Sequence, residues 1–312
     1  MFALRGIAVS LTFFVLLYCF LSLVVVSVWR GVTLLRGTSP QARANTLFWM
    51  RIFPLLASGI VTLIFAVPSF VIFEPRSIDE DMALPLVLGL GCLLLFALGT
   101  FRVITAQKRT ARVVANWLLE ATAVDAGVTT PTFCSWRGTP PLTLVGVRSP
   151  RVVVSGATVA LLGADELRVA VRHEIAHMRS RDNLKKLAFH CSPFPGMANL
   201  ESAWHEAAEL AADDGAVGSL RDALDLAAAL IKLSRLIPVR STPAFTMTLV
   251  NGSGSVSERV ARLLAWNDLK SRPLPTRWSY AIPLVLAPIL CAAAFYGPAL
   301  AQTHRITEWL VR

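Results

Sequence analysis

The chain has 312 residues, 54% of them hydrophobic and only 16% charged, with a mean hydropathy of +0.58 and a formal net charge of +10. Soluble globular proteins carry about 25% charged residues, so this composition excludes an ordinary soluble protein and reads as a membrane protein. The basic residues crowd the ends of apolar runs and accompany no nucleic-acid motif, so the charge is a signal of membrane topology and no direct nucleic-acid partner is expected.

Four uncharged stretches approach the roughly 20 apolar residues needed to cross a bilayer. They cover about 6–29, 52–73, 84–101 and 279–296. The first is too long for a signal-peptide core and lacks a small-x-small cleavage site, so it is expected to be an uncleaved anchor. Arg30, Arg36, Arg43 and Arg51 fill the first connection, whereas Glu74, Asp79, Glu80 and Asp81 dominate the second. Basic residues return after the third span (Arg102, Lys108, Arg109, Arg112) and before the fourth (Lys270, Arg272, Arg277). Because basic loops face the cytoplasm, both termini are expected outside and residues 106–277 in the cytosol. The expected organisation is therefore 1–105 with three spans, 106–277 as a cytosolic domain, and 278–312 as the fourth span with a short tail. Of the five cysteines, Cys19, Cys92 and Cys291 lie in apolar runs, and Cys134 and Cys191 show no CxxC spacing. Neither a disulfide framework nor a cysteine-type zinc site is expected.

Within the cytosolic region, residues 129–155 have β character, with PLTLVGV and RVVVS flanked by Pro and Gly. These strands either pack the domain or pair with an extended substrate by strand addition. GADELRVAVRHEIAHMRSRDNLKKLAF then reads as one helix, opened by Asp165 and Glu166 after a glycine and broken by SPFPG at 192–196. A second helix is expected over about 199–217, and DALDLAAALIKLSRL makes a third. NGSGS at 251–255 reads as a flexible linker, after which Ser255 and Glu258 have capping-box spacing. The basic helix at 257–266 is expected to touch lipid.

RHEIAHMRSRD, residues 172–182, contains HExxH. On a helix, positions i and i+4 share a face, so His173 and His177 can present both imidazoles to one metal ion. Glu174 lies one residue round, where it can take a proton from a zinc-bound water without ligating. A catalytic zinc wants a third protein ligand, and ESAWHEAAELAADDG (201–215) offers Glu209, with Asp213 one turn on to orient a ligand histidine. His205, Glu206 and Asp214 remain competing third ligands. Asp182 either orients a ligand histidine or pairs with Lys185 or Lys186. His205 is also a candidate oxyanion stabiliser, since Tyr18, Tyr280 and Tyr296 all lie in or at the edge of spans.

Together, VTTPTFCSWRGTPPLTLVGVRSPRVVVS, HEIAHMRSRD and ELAADDGAV, set between three spans and a fourth, resemble the integral-membrane metallopeptidases of the BlaR/MecR β-lactam sensor-transducer group. The resemblance implies an α-helical membrane protein with four transmembrane helices and an inserted cytosolic α+β zincin-like (gluzincin) metallopeptidase domain. It implies one zinc ion held by His173, His177 and Glu209, with Glu174 as catalytic base. The implied function is regulated proteolysis at the cytosolic face of a bacterial-type inner membrane, and the implied substrate is a protein or peptide, a cytosolic transcriptional repressor or the chain itself. A non-catalytic relay with a vestigial site is the alternative. Proteases resembling the heat-shock protein HtpX place spans between HExxH and the later Glu, and none fits between His177 and Glu209. Site-two-type proteases bury HExxH inside a span, which Arg172, Arg179, Arg181 and Asp182 exclude. Only 297–312 follow the fourth span, so the penicillin-binding sensor domain of the antibiotic sensors is not expected here.

Overall fold

The computed structural model describes residues 2–32, 39–74, 83–128, 130–136, 138–146, 150–192, 194–236, 246–248, 253–266 and 296–311. The chain divides into two compact units, one of Met1–Leu34, Trp49–Gly99 and Leu274–Arg312, the other of Leu35–Phe48 and Thr100–Pro273.

The first unit is helical. Helix α1 covers Phe2–Val32. Helix α2, Pro40–Val61, continues through a π-helical turn, Thr62–Ala66, into α3, Val67–Phe73. Helix α4 runs Ala83–Leu118 and crosses into the second unit at Thr100. Three helical stretches, Phe2–Trp29, Pro40–Phe73 and Ala83–Leu118, are long and apolar enough to cross a membrane. They are longer than the uncharged runs because the helices continue through their polar flanks. Small residues turn inward, as bundles in lipid require for close approach: Ser22, Ser58 and Ser69 are fully buried, and a Cβ on Gly89 would sit 3.5 Å from the backbone of Ala8. Pro68 has no N–H to give the carbonyl of Ile64, four residues back, and that carbonyl accepts from the Tyr296 hydroxyl at 3.0 Å. Tyr296 opens helix α11, Tyr296–Val311. The expected fourth span at 279–296 otherwise lies outside the described residues.

The second unit is built on a five-stranded sheet of order β1-β2-β4-β3-β5, formed by Thr122–Val124 (β1), Thr132–Ser135 (β2), Leu142–Val145 (β3), Arg151–Ser155 (β4) and Thr246–Thr248 (β5). Strands β2 and β4 run parallel; the other pairings are antiparallel. Strand β3 is buried along its whole length because both sheet faces are covered. Leu142, Leu144, Val152 and Val154 face a helical core, while Val145 and Val153 pack on Trp117 at the end of α4.

That core is formed by α5 (Gly156–Leu161), α6 (Ala164–Ser180), α7 (Asp182–Cys191), α8 (Ala198–Ala216), α9 (Leu220–Ser234) and α10 (Ser253–Leu264). On α9 the apolar stripe Ala223, Leu226, Leu230 and Leu233 is buried with Val169 and Ala170 of α6; burying each such Leu contributes about 1.5–3 kcal/mol. The Glu166 carboxylate accepts from the Gly163 N–H at 2.8 Å and caps α6.

Two expectations change here. The single helix read across 163–189 is two helices, because Arg181 adopts φ 54, a left-handed conformation. The linker read at NGSGS is helical from Ser253, so α10 starts ahead of the expected cap at Ser255.

Candidate metal centre

Helix α6 presents His173, Glu174 and His177, all fully buried. Helix α8 returns after the SPFPG break and brings Glu209 against them, at 4% exposure. Close approach of the two helices depends on Gly215, where a Cβ would lie only 3.0 Å from the Cβ of Ala176. One ligand atom each from His173, His177 and Glu209 falls within 4.8 Å of the others. The two histidine Nε2 atoms are 3.1 Å apart. Glu209 Oε1 lies 3.4 Å from His177 Nε2, and Oε2 lies 3.5 Å from His173 Nε2. Among the competing third ligands, Glu206 is exposed and Asp214 pairs with Arg262, at 2.5 Å.

Both histidines are backed by carboxylates. Asp213 Oδ1 is 3.0 Å from His173 Nδ1, and Asp182 Oδ2 is 2.8 Å from His177 Nδ1. On an unbroken helix a residue five positions on lies about 140° round the axis, pointing away from His177. The left-handed turn at Arg181 swings Asp182 back. Lys185 also pairs with Asp182, at 3.1 Å, so the two alternatives read for Asp182 occur together. Asn183 then donates to the carbonyls of Leu144 and Gly146 at 3.3 and 3.0 Å, pinning this turn to β3.

Burial and neighbouring charges compete in the electrostatics of the site. Burial pushes Glu174 up to about 7 against the pull of the two histidines and of the Leu144 backbone N–H. Burial would lower His177, but Glu209 and Asp182 outweigh it and raise it to about 10. Burial would likewise raise Glu209, yet Arg259 and His177 hold it well below the usual carboxylate range. His205, partly buried on α8 one turn before Glu209, is pushed down to about 4 by burial.

Arg259 is the site residue that the sequence reading missed. It was read as part of a lipid-facing basic helix, but its side chain is buried against Glu209 and Asp213. A signal was present: Arg259 shares one stripe of α10 with the buried Val256 and Leu263, so helical periodicity already placed a cation in the core. Arg262 pairs with Asp214 of α8 at the exposed side of the helices.

The edge of β3 also differs from expectation. Thr246–Thr248 pairs antiparallel to it, with Leu144 opposite Met247. An incoming substrate strand can therefore reach β3 only by displacing β5.

Two buried imidazoles and a buried carboxylate, with a second buried carboxylate beside them, make a donor set able to hold a metal ion. A family model for peptidase family M48 matches residues 144–304, more than half of the chain and the whole of this constellation. The chain belongs to peptidase family M48. No match emerges among curated proteins or among solved structures. M48 members are zinc metallopeptidases, and the three apolar helices make this M48 chain membrane-associated. A peptidase of this family acts on protein or peptide substrates.

Proposed function

We propose that this M48 chain is a multi-pass inner-membrane endopeptidase in which His173, His177 and Glu209 hold one zinc ion and Glu174 is the catalytic base. The observation that carries the reading is the burial of three candidate ligand residues with atoms within 4.8 Å of one another, beside the fully buried Glu174 carboxylate. Bound zinc would polarise the scissile carbonyl and acidify the attacking water. Glu174 takes the water's proton and delivers it to the leaving amine. Burial raises the Glu174 carboxyl to about 7 in the metal-free site, which favours its accepting a proton. Asp182 accepts from His177 Nδ1, and Asp213 Oδ1 lies 3.0 Å from His173 Nδ1, so the two carboxylates fix the orientation of the rings. His205, kept neutral by burial, is the proposed donor to the oxyanion.

The layout further supports four spans (the last at 279–296), both termini outside, and a zincin-like gluzincin domain over 106–277 in the cytosol. Similarity to the BlaR/MecR type favours regulated proteolysis of a cytosolic repressor or of the chain itself. Glu174→Ala is the direct test. The variant should keep its zinc while cleavage of itself and of cytosolic proteins falls by about 10²–10⁴-fold. Identical products from variant and wild type would end the protease reading.

A further inference from the structure

Arg259 reaches the metal centre from a helix 50 residues beyond Glu209. Its Nη1 donates to Glu209 Oε2 at 2.9 Å. Its Nε and Nη2 grip both oxygens of Asp213, at 2.8 and 2.6 Å. Asp213 in turn backs His173 at 3.0 Å. One planar guanidinium therefore holds the third ligand and the carboxylate behind the first.

This makes the two oxygens of Glu209 unequal. Oε2 is engaged by a charged donor, whereas Oε1 is buried, has no hydrogen-bond partner and lies 3.4 Å from His177 Nε2. We propose that Arg259 is a positioning residue that restricts Glu209 to binding the metal through Oε1 alone. The inference rests on the zinc-peptidase reading. A catalytic zinc needs three protein ligands and one open position for water; a carboxylate binding through both oxygens would occupy that position. Arg259 prevents it by keeping Oε2 hydrogen-bonded. A lysine, with a compact ammonium in place of a rigid fork, cannot grip Glu209 and Asp213 in the same geometry. Helix α10 thereby becomes part of the metal site.

Arg262 supplies the control. It ties α10 to α8 through Asp214, but at the exposed side of the helices and without touching a ligand. The full-length protein, loaded with cobalt in place of zinc, reports coordination number through its visible absorption. Wild type should show the intense bands of a four-coordinate ion. Arg259→Met should show the weaker bands of a five- or six-coordinate ion, with zinc affinity by chelator competition reduced about 10–100-fold. Arg259→Lys should be only partly restored, and Arg262→Met should match wild type. An Arg259→Met protein with wild-type circular dichroism, cobalt spectrum and zinc affinity would overturn the proposal. Should that variant not fold, X-ray absorption of zinc-loaded wild type still decides: four nearest neighbours support single-oxygen ligation, and five overturn it. Failure of the wild type to bind either metal would instead overturn the zinc reading itself.

Discussion

Asp182 is separated from His177 by only five residues, yet its contact depends on one backbone torsion at Arg181. Because the carboxylate fixes the ring of a proposed ligand, Asp182→Ala should weaken zinc binding about 10–100-fold while leaving the helices intact. Chelator competition alongside circular dichroism separates the two effects, and unchanged affinity would limit Asp182 to its pairing with Lys185. His177 carries the pH dependence of the proposed metal binding. Its pKa is raised from 6.5 to about 10, so before metal binds it holds a proton at neutral pH. That proton stabilises the fold fully below about pH 6.5, and the contribution is lost as pH rises through 10. Ligation needs the neutral ring, so zinc affinity should rise with pH up to about 10, with roughly one proton released per ion. Calorimetric titration at pH 8 in buffers of different ionisation enthalpy counts the protons directly; a count of zero would contradict this assignment.

At the scale of elements, the metal centre is a packing problem between α6 and α8. Gly215 is the contact that decides their separation, since any Cβ there meets Ala176 at 3.0 Å. Gly215→Val should force the helices apart and cost about 1–3 kcal/mol. Zinc affinity should fall more than helix content, because Glu209 rides on the displaced helix. A thermal melt with a parallel zinc titration tests this, and full affinity in a destabilised protein would show that the helices can separate without moving the ligands. The helical periods of α6, α8 and α9 were legible because each buries one clear apolar stripe. The break at Arg181 was not legible, since Arg carries no preference for the left-handed region. Helix α10 was misread at both levels. Its glycine and serine start looked like a linker, and its arginines looked like a lipid-facing surface until Asp213, Asp214 and Glu209 were found beneath them.

For the whole molecule, the proposed orientation follows from the charges of the connecting loops and predicts their accessibility. In a variant without native cysteines, a cysteine at Asp79 should react with a membrane-impermeant maleimide in intact cells. One at Arg36 should react only after the membrane is opened. The reverse pattern would place the peptidase unit on the other side. Composition alone was enough to identify a membrane chain, and the HExxH and ExxxD spacings were enough to nominate His173, Glu174, His177, Glu209 and Asp213, because residues one helical turn apart share a face whatever surrounds them. Those are local properties. Arg259 lies 46 residues from Asp213 and 50 from Glu209, and β5 lies about 100 residues beyond the strand it joins. No local period encodes such partners. They are chosen by which buried charges must be neutralised and which backbone edges must be paired once the chain has closed on itself.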